Sequence, residues 1–196
     1  MKKTLINALT IFGFITMILS GCDSDWDGEI TVTGGTKLPN EIRWIFYQDS
    51  HGIDGIETIE VNPKPSIYAE NIIRIKTYDS LVDILTVQCN CDKPCNHDSI
   101  DIDENEVDKL LKKFDPKFFE TKNIIVTELT VGVRTMNVQV NNISKNGIIN
   151  ITETQKFSFS FIEVSAGVTV FFAIEIDSSF ITPPSMCVKI KSVSSF

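Results

Sequence analysis

From Asn123 onward the apolar residues recur with a period of two, the mark of strands with one buried face. Asn123 to Leu129 reads as a first strand, and Met136, Val138 and Val140 mark one face of a second. Asn146-Gly147 predicts a type I′ hairpin turn, with Ile149 and Ile151 opening the returning strand. Phe157, Phe159 and Phe161 alternate with Ser158 and Ser160. At strand spacing these rings read as core; exposed, they would form an apolar patch for a ligand or partner. Val168, Val170, Phe172, Ile174 and Ile176 alternate next. Thr182-Pro183-Pro184 then turns the chain, and Val188 and Ile190 suggest a last strand.

The first half is less regular. Glu29 to Thr33, Arg43 to Tyr47 and Ile56 to Val61 read as strands, and Ile73 and Ile75 alternate with Arg74 and Lys76. Asp79 or Ser80 can cap a short helix carrying Leu81, Val82, Ile84 and Leu85. Val107, Leu110, Leu111 and Phe114 share one face of a clearer helix, capped by Asp101 or Asp103 and ended at Asp115-Pro116. The pattern predicts a mainly β, α+β fold: an antiparallel meander or sandwich-like sheet with one or two short helices, after a cleaved N-terminal signal.

That signal is the most specific motif in the chain. Lys2 and Lys3 precede a mostly apolar stretch, which ends in Leu19-Ser20-Gly21-Cys22. The run from Thr4 to Cys22 is interrupted by Asn7, Thr10, Thr16 and Ser20, so its apolar heart is too short to span a bilayer. The segment resembles the lipobox of bacterial lipoproteins, in which the cysteine sulfur is lipidated and the cysteine becomes residue one. The resemblance implies a signal peptide over 1–21 and a lipidated Cys22. The polar, glycine-containing stretch that follows reads as an acidic tether within 22–40, ahead of a single β-rich domain over 41–196. The resemblance also implies a place in the bacterial cell envelope, anchored to a membrane on the extracytoplasmic side. Each buried acyl methylene contributes about 0.8 kcal/mol, so several chains on one residue hold a protein firmly.

Charge narrows the partners. The 196 residues carry 26 acidic and 18 basic side chains, a net charge of −8, and removing Lys2 and Lys3 makes the chain more acidic still. Such a chain repels nucleic acid and anionic lipid, which leaves another envelope protein as the expected partner. No Gly-x-Ser-x-Gly, His-Glu-x-x-His or phosphate-binding loop is present, so the reading is against an enzyme. A hydrolase with an unrecognised site, around His51, is a further alternative.

Two clusters could carry ligand chemistry. Cys89, Cys91, Cys95 and His97 are dense in soft donors suited to Zn²⁺ or Cu⁺, which makes a metal-binding lipoprotein the alternative function. In an exported chain the even set Cys89, Cys91, Cys95 and Cys187 reads first as two disulfides, such as 89–95 with 91–187. Asp23, Asp25 and Asp27, followed by Gly28, match the first half of an EF-hand loop for Ca²⁺, but position 12 is Gly34 where a bidentate Glu is needed. The plain reading there is an acidic tether. The acidic run from Asp98 to Asp108 reads as a solvated helix start.

Phe114-Asp115-Pro116-Lys117-Phe118-Phe119, leading into Asn123-Ile124-Ile125-Val126, resembles a pattern in uncharacterised lipoproteins of Gram-positive and other low-GC bacteria. There an aromatic-Asp-x-x-Phe-Phe segment follows a helix and leads into a strand, a hairpin and a final strand. The layout is also similar to the β-domain of regulatory lipoproteins of surface protease complexes. The resemblance spans residues 101–177 and implies that Phe118 and Phe119 are core anchors. Val131-Gly132-Val133 stands where such lipoproteins carry a Ser-Gly-Ser-like turn, so no functional residue transfers.

Overall fold

The computed structural model describes residues 29–43, 46, 53–61, 72–86, 103–156 and 167–195. The strands are β1 (Thr31–Thr33), β2 (Thr36–Lys37), β3 (Ile56–Val61), β4 (Ile72–Ile75), β5 (Lys122–Gly132), β6 (Thr135–Ile143), β7 (Ile148–Lys156), β8 (Gly167–Asp177) and β9 (Ser185–Ser195). The helices are α1 (Tyr78–Thr86), α2 (Glu104–Lys113) and α3 (Pro116–Phe119), with a 3₁₀ turn at Asn40–Ile42. The mainly β, α+β class read from the sequence is the class observed.

The sheet order is β1-β6-β7-β9-β3-β4-β5-β8-β2. β3-β4-β5 and β6-β7 are antiparallel, as a meander requires, and parallel pairs at β1–β6, β7–β9 and β3–β9 make the sheet mixed. The strands form two facing layers, β1-β6-β7-β9 and β3-β4-β5-β8-β2. The short β3–β9 pairing joins one side, and the Gly34-Gly35 turn between β1 and β2 bridges the other. The result is a nearly closed barrel.

The burial pattern explains the sequence pattern. Between the layers lie Ile59, Ile72, Ile125, Leu129, Val138, Val140, Ile149, Ile151, Phe172, Ile174 and Val188. A second core covers the outer face of β4, β5 and β8, where Ile73, Ile75, Ile124, Val126, Phe171 and Ala173 meet Leu81, Ile84, Leu110 and Phe114 from α1 and α2. Strands buried on both faces read as continuous apolar runs, whereas β6 and β7, with one face in solvent, alternate. Each fully buried Phe or Ile contributes about 1.5–3 kcal/mol.

Local chemistry sets the helix ends. Asp103 caps α2 by accepting from the Asn105 N–H, and Asp115 accepts from the Phe118 N–H with Pro116 in the first turn of α3. Glu106–Lys109 and Asp108–Lys112 pair along the exposed face of α2, so its acidic start is solvated. Phe118 and Phe119 are partly buried against the helix-covered core.

Three expectations are corrected. Where a strand is expected over Arg43 to Tyr47, the described residues Arg43 and Phe46 are helical, because Ile42 and Phe46, four residues apart, both turn onto the outer core. Phe46 meets Phe171 edge to face at 5.5 Å. The hairpin at Asn146-Gly147 forms, but not with a type I′ turn, because only Gly147 has positive φ. The Gly147 N–H donates to Ser144 O and the Ser144 N–H to Ile148 O, closing a longer loop. The tether expected over 22–40 ends early: Ile30 and Leu38 are buried, and β1 and β2 belong to the sheet.

Candidate functional site

The barrel has two unlike poles. β5 runs from Asn123 at one to Gly132 at the other, a rise of about 30 Å. At the Gly132 pole, Val133 and Arg134 carry the chain from one layer to the other. Glu153, 5% exposed, sits inside this end. Its carboxylate accepts hydrogen bonds from the Thr135 hydroxyl, from the Gly132 N–H at 3.2 Å and from Ser192 Oγ at 2.9 Å. Burial alone would raise the carboxyl pKa. Hydrogen bonds from Thr135, Gln155, Ser192 and Gly132 outweigh it and hold the group below its ordinary value.

At the Asn123 pole, residues 178–184 cross from the end of β8 to the start of β9, strands that are not neighbours. Arg74, on the inner face of β4 and 6% exposed, holds this crossing from beneath. Nε and Nη2 donate to Asn123 Oδ1 at 3.1 and 2.6 Å, Nη2 donates to Ser178 O at 3.1 Å, and Nη1 donates to Thr182 Oγ1. Asn123 is fixed in turn by its Nδ2 donations to Lys76 O and Lys122 O. Glu57 balances the charge, 3.8 Å from Arg74 and 3.0 Å from Lys76.

Beside this crossing the seam between the layers is open. β1 pairs with β6 only over Asn137–Gln139, and β2 with β8 only over Phe172–Ala173. Beyond them, β6 residues 140–143 and β8 residues 174–177 flank a cleft of about 900 Å³. Gly34, Lys145, Phe180, Ile181 and Pro183 complete its walls. Gly34 is obligatory there: its φ is +72°, and a Cβ would lie 2.2 Å from Val140 O. Ile181 is 86% exposed, by far the most exposed large apolar side chain among the described residues. Lys122 at the mouth lies 2.6 Å from Asp177, whose hydrogen bond and charge raise the lysine pKa.

Most site residues read from the sequence fall elsewhere. Cys22, Asp23, Asp25, Asp27, His51, Cys89, Cys91, Cys95, His97 and the Phe157, Phe159, Phe161 stripe lie outside the described residues. Cys187 is half-buried on β9, opposite Ile148 of β7, and forms no disulfide among the described residues. Among the described residues no group of three or more His, Cys, Asp or Glu could hold a metal ion, and no helix is long and apolar enough to cross a membrane.

The sequence reading missed Arg74, Asn123, Glu153 and Ile181. Arg74 carried a faint signal, a lone cation between two isoleucines that turn out to be buried. Ile181 carried none, since one Ile before Thr-Pro-Pro reads as an ordinary loop residue. Comparison of the chain with protein-family models, with curated proteins and with solved structures gives no match.

Proposed function

We propose that the chain is a bacterial envelope lipoprotein, held on a membrane by acyl chains on Cys22, whose β-domain binds another envelope protein without catalysis. The observation that carries the binding role is Ile181: an apolar side chain held out in water, on a crossing fixed by a buried arginine, beside a cleft. Keeping such a group exposed costs free energy that a partner's surface recovers. The lipobox carries the anchoring role. Residues 22–28 reach at most about 25 Å, so partners are confined to the neighbourhood of the membrane.

The test is metabolic labelling with a fatty acid, joined to crosslinking capture from the native membrane. Label on the wild type and none on Cys22→Ser, with one protein captured by both the wild type and its Ile181-bearing surface, is the expected result. A Cys22→Ser chain that still carries label and still sediments with membranes would overturn the anchor. Capture of no specific protein would overturn the binding role.

A further inference from the structure

We propose that the cleft accepts an extended segment of the partner as an added strand on the free edge of β8. This rests on the partner-binding reading above. The Leu38 N–H donates to Phe171 O at 2.8 Å, so Phe171 turns its main-chain groups toward β2. In an antiparallel ladder alternate residues face the same side, so Ala173, Glu175 and Asp177 do likewise. β2 reaches no further than Ala173, and the next register position toward Glu175 falls where Gly34 and Gly35 turn the chain away to β1. The N–H and C=O of Glu175 and the N–H of Asp177 therefore face the cleft with no ladder partner among the described residues. Asp177 O is taken by the Phe180 N–H.

An edge of this kind is a template for an extended backbone. The opposite wall suits the role less well, because β6 carries a register irregularity between Val140 and Asn142. Charge sets the composition of the segment. Lys145 on one rim and Glu175 on the other line the cleft, and neither forms an ion pair among the described residues. The complementary strand carries an acidic residue toward Lys145, a basic residue toward Glu175 and an apolar side chain against Ile181. The cleft also lies at the pole opposite the start of β1. β1 runs parallel to β6, so it starts from the side of the Glu153 pole, and the cleft opens at the other.

The probe is a library of random peptides about six residues long, screened against the lipidated chain in detergent. Selected peptides are expected to slow amide exchange at Glu175 and Asp177 by at least about tenfold. Glu175→Pro removes the free donor but no β5 ladder bond, so it is expected to weaken these peptides at least about tenfold. Glu175→Ala removes only one exposed ion pair with the peptide and is expected to weaken them by at most about fivefold. No selected peptide, or selected peptides that leave exchange at Glu175 unchanged, would overturn strand addition. So would unchanged affinity for a folded Glu175→Pro; if that variant does not fold, exchange in the wild type decides. A protein captured in the membrane at Ile181 without slowed exchange removes strand addition and keeps the partner. Peptide binding without any captured protein does the reverse.

Discussion

Replacing Arg74 with Met tests how the barrel mouth is held. The substitution keeps most of the side-chain volume and removes the guanidinium. Asn123 Oδ1 then loses two donations, and Ser178 O and Thr182 Oγ1 lose one each. Asn123 is 4% exposed, so water restores its bonds poorly. A buried group left unsatisfied costs about 1–3 kcal/mol, and breaking a buried charged network by removing one partner about 3–5. Glu57 softens the loss, since it is 35% exposed and keeps Lys76. A net cost of about 3 kcal/mol follows, which lowers Tm by about 6–12 °C in a chain of this size. Thermal unfolding followed by circular dichroism reads the global effect, and amide exchange over residues 178–184 the local one. Arg74→Met with Asn123→Leu removes both sides of the network and is expected to recover part of the loss. A Tm shift under about 2 °C, or unchanged exchange over 178–184, would refute the claim that Arg74 fixes the crossing.

Three further outcomes are expected. Because Glu153 has a folded-state pKa below its ordinary 4.5, its contribution to stability is present above that value and is lost as pH falls through the folded value. Urea unfolding from neutral pH into the acid range should therefore show a shallower acid loss for Glu153→Gln than for the wild type, and parallel curves would refute the assignment. Gly34→Ala should cost at least about 2 kcal/mol by chemical unfolding, from left-handed strain and the clash with Val140 O, and also widen the seam. Phe114→Ala should cost about 3–5 kcal/mol by the same measurement, because its ring is buried where α2 meets the outer core.

Much of the sheet was legible because period-two alternation records a single buried face, and β6, β7 and β9 are strands of that kind. The two longer helices were legible from their apolar stripes, and α2 also from its Asp103 cap. Asp115-Pro116 reads in the sequence only as the end of α2, yet Asp115 caps α3; Asp79 and Ser80 lie inside α1, where the Ser80 N–H donates to Thr77 Oγ1. What escaped depends on contacts distant in sequence. Arg43 to Tyr47 has strand-forming residues, yet packing of Ile42 and Phe46 into the outer core, with Phe46 against Phe171, makes Arg43 and Phe46 helical. Parallel pairing is invisible locally: β7 and β9 become neighbours only after the chain has built β8 on the opposite layer. The cleft exists because β1 and β2 stop short of the ends of β6 and β8, and no single segment records where two others stop. Arg74 and Glu153 stand among apolar strands, but only the three-dimensional arrangement reveals the hydrogen-bond partners that keep each of them inside.

The central claim is that the pole bearing Ile181 meets a protein partner at the cleft. Its most direct test places a photo-crosslinking residue at position 181, and a control at Lys113 on the C-terminal end of α2, in the lipidated chain in its native membrane. The account predicts one specific adduct from position 181 that is absent from position 113. The same adducts from both positions, or none from position 181, would contradict it.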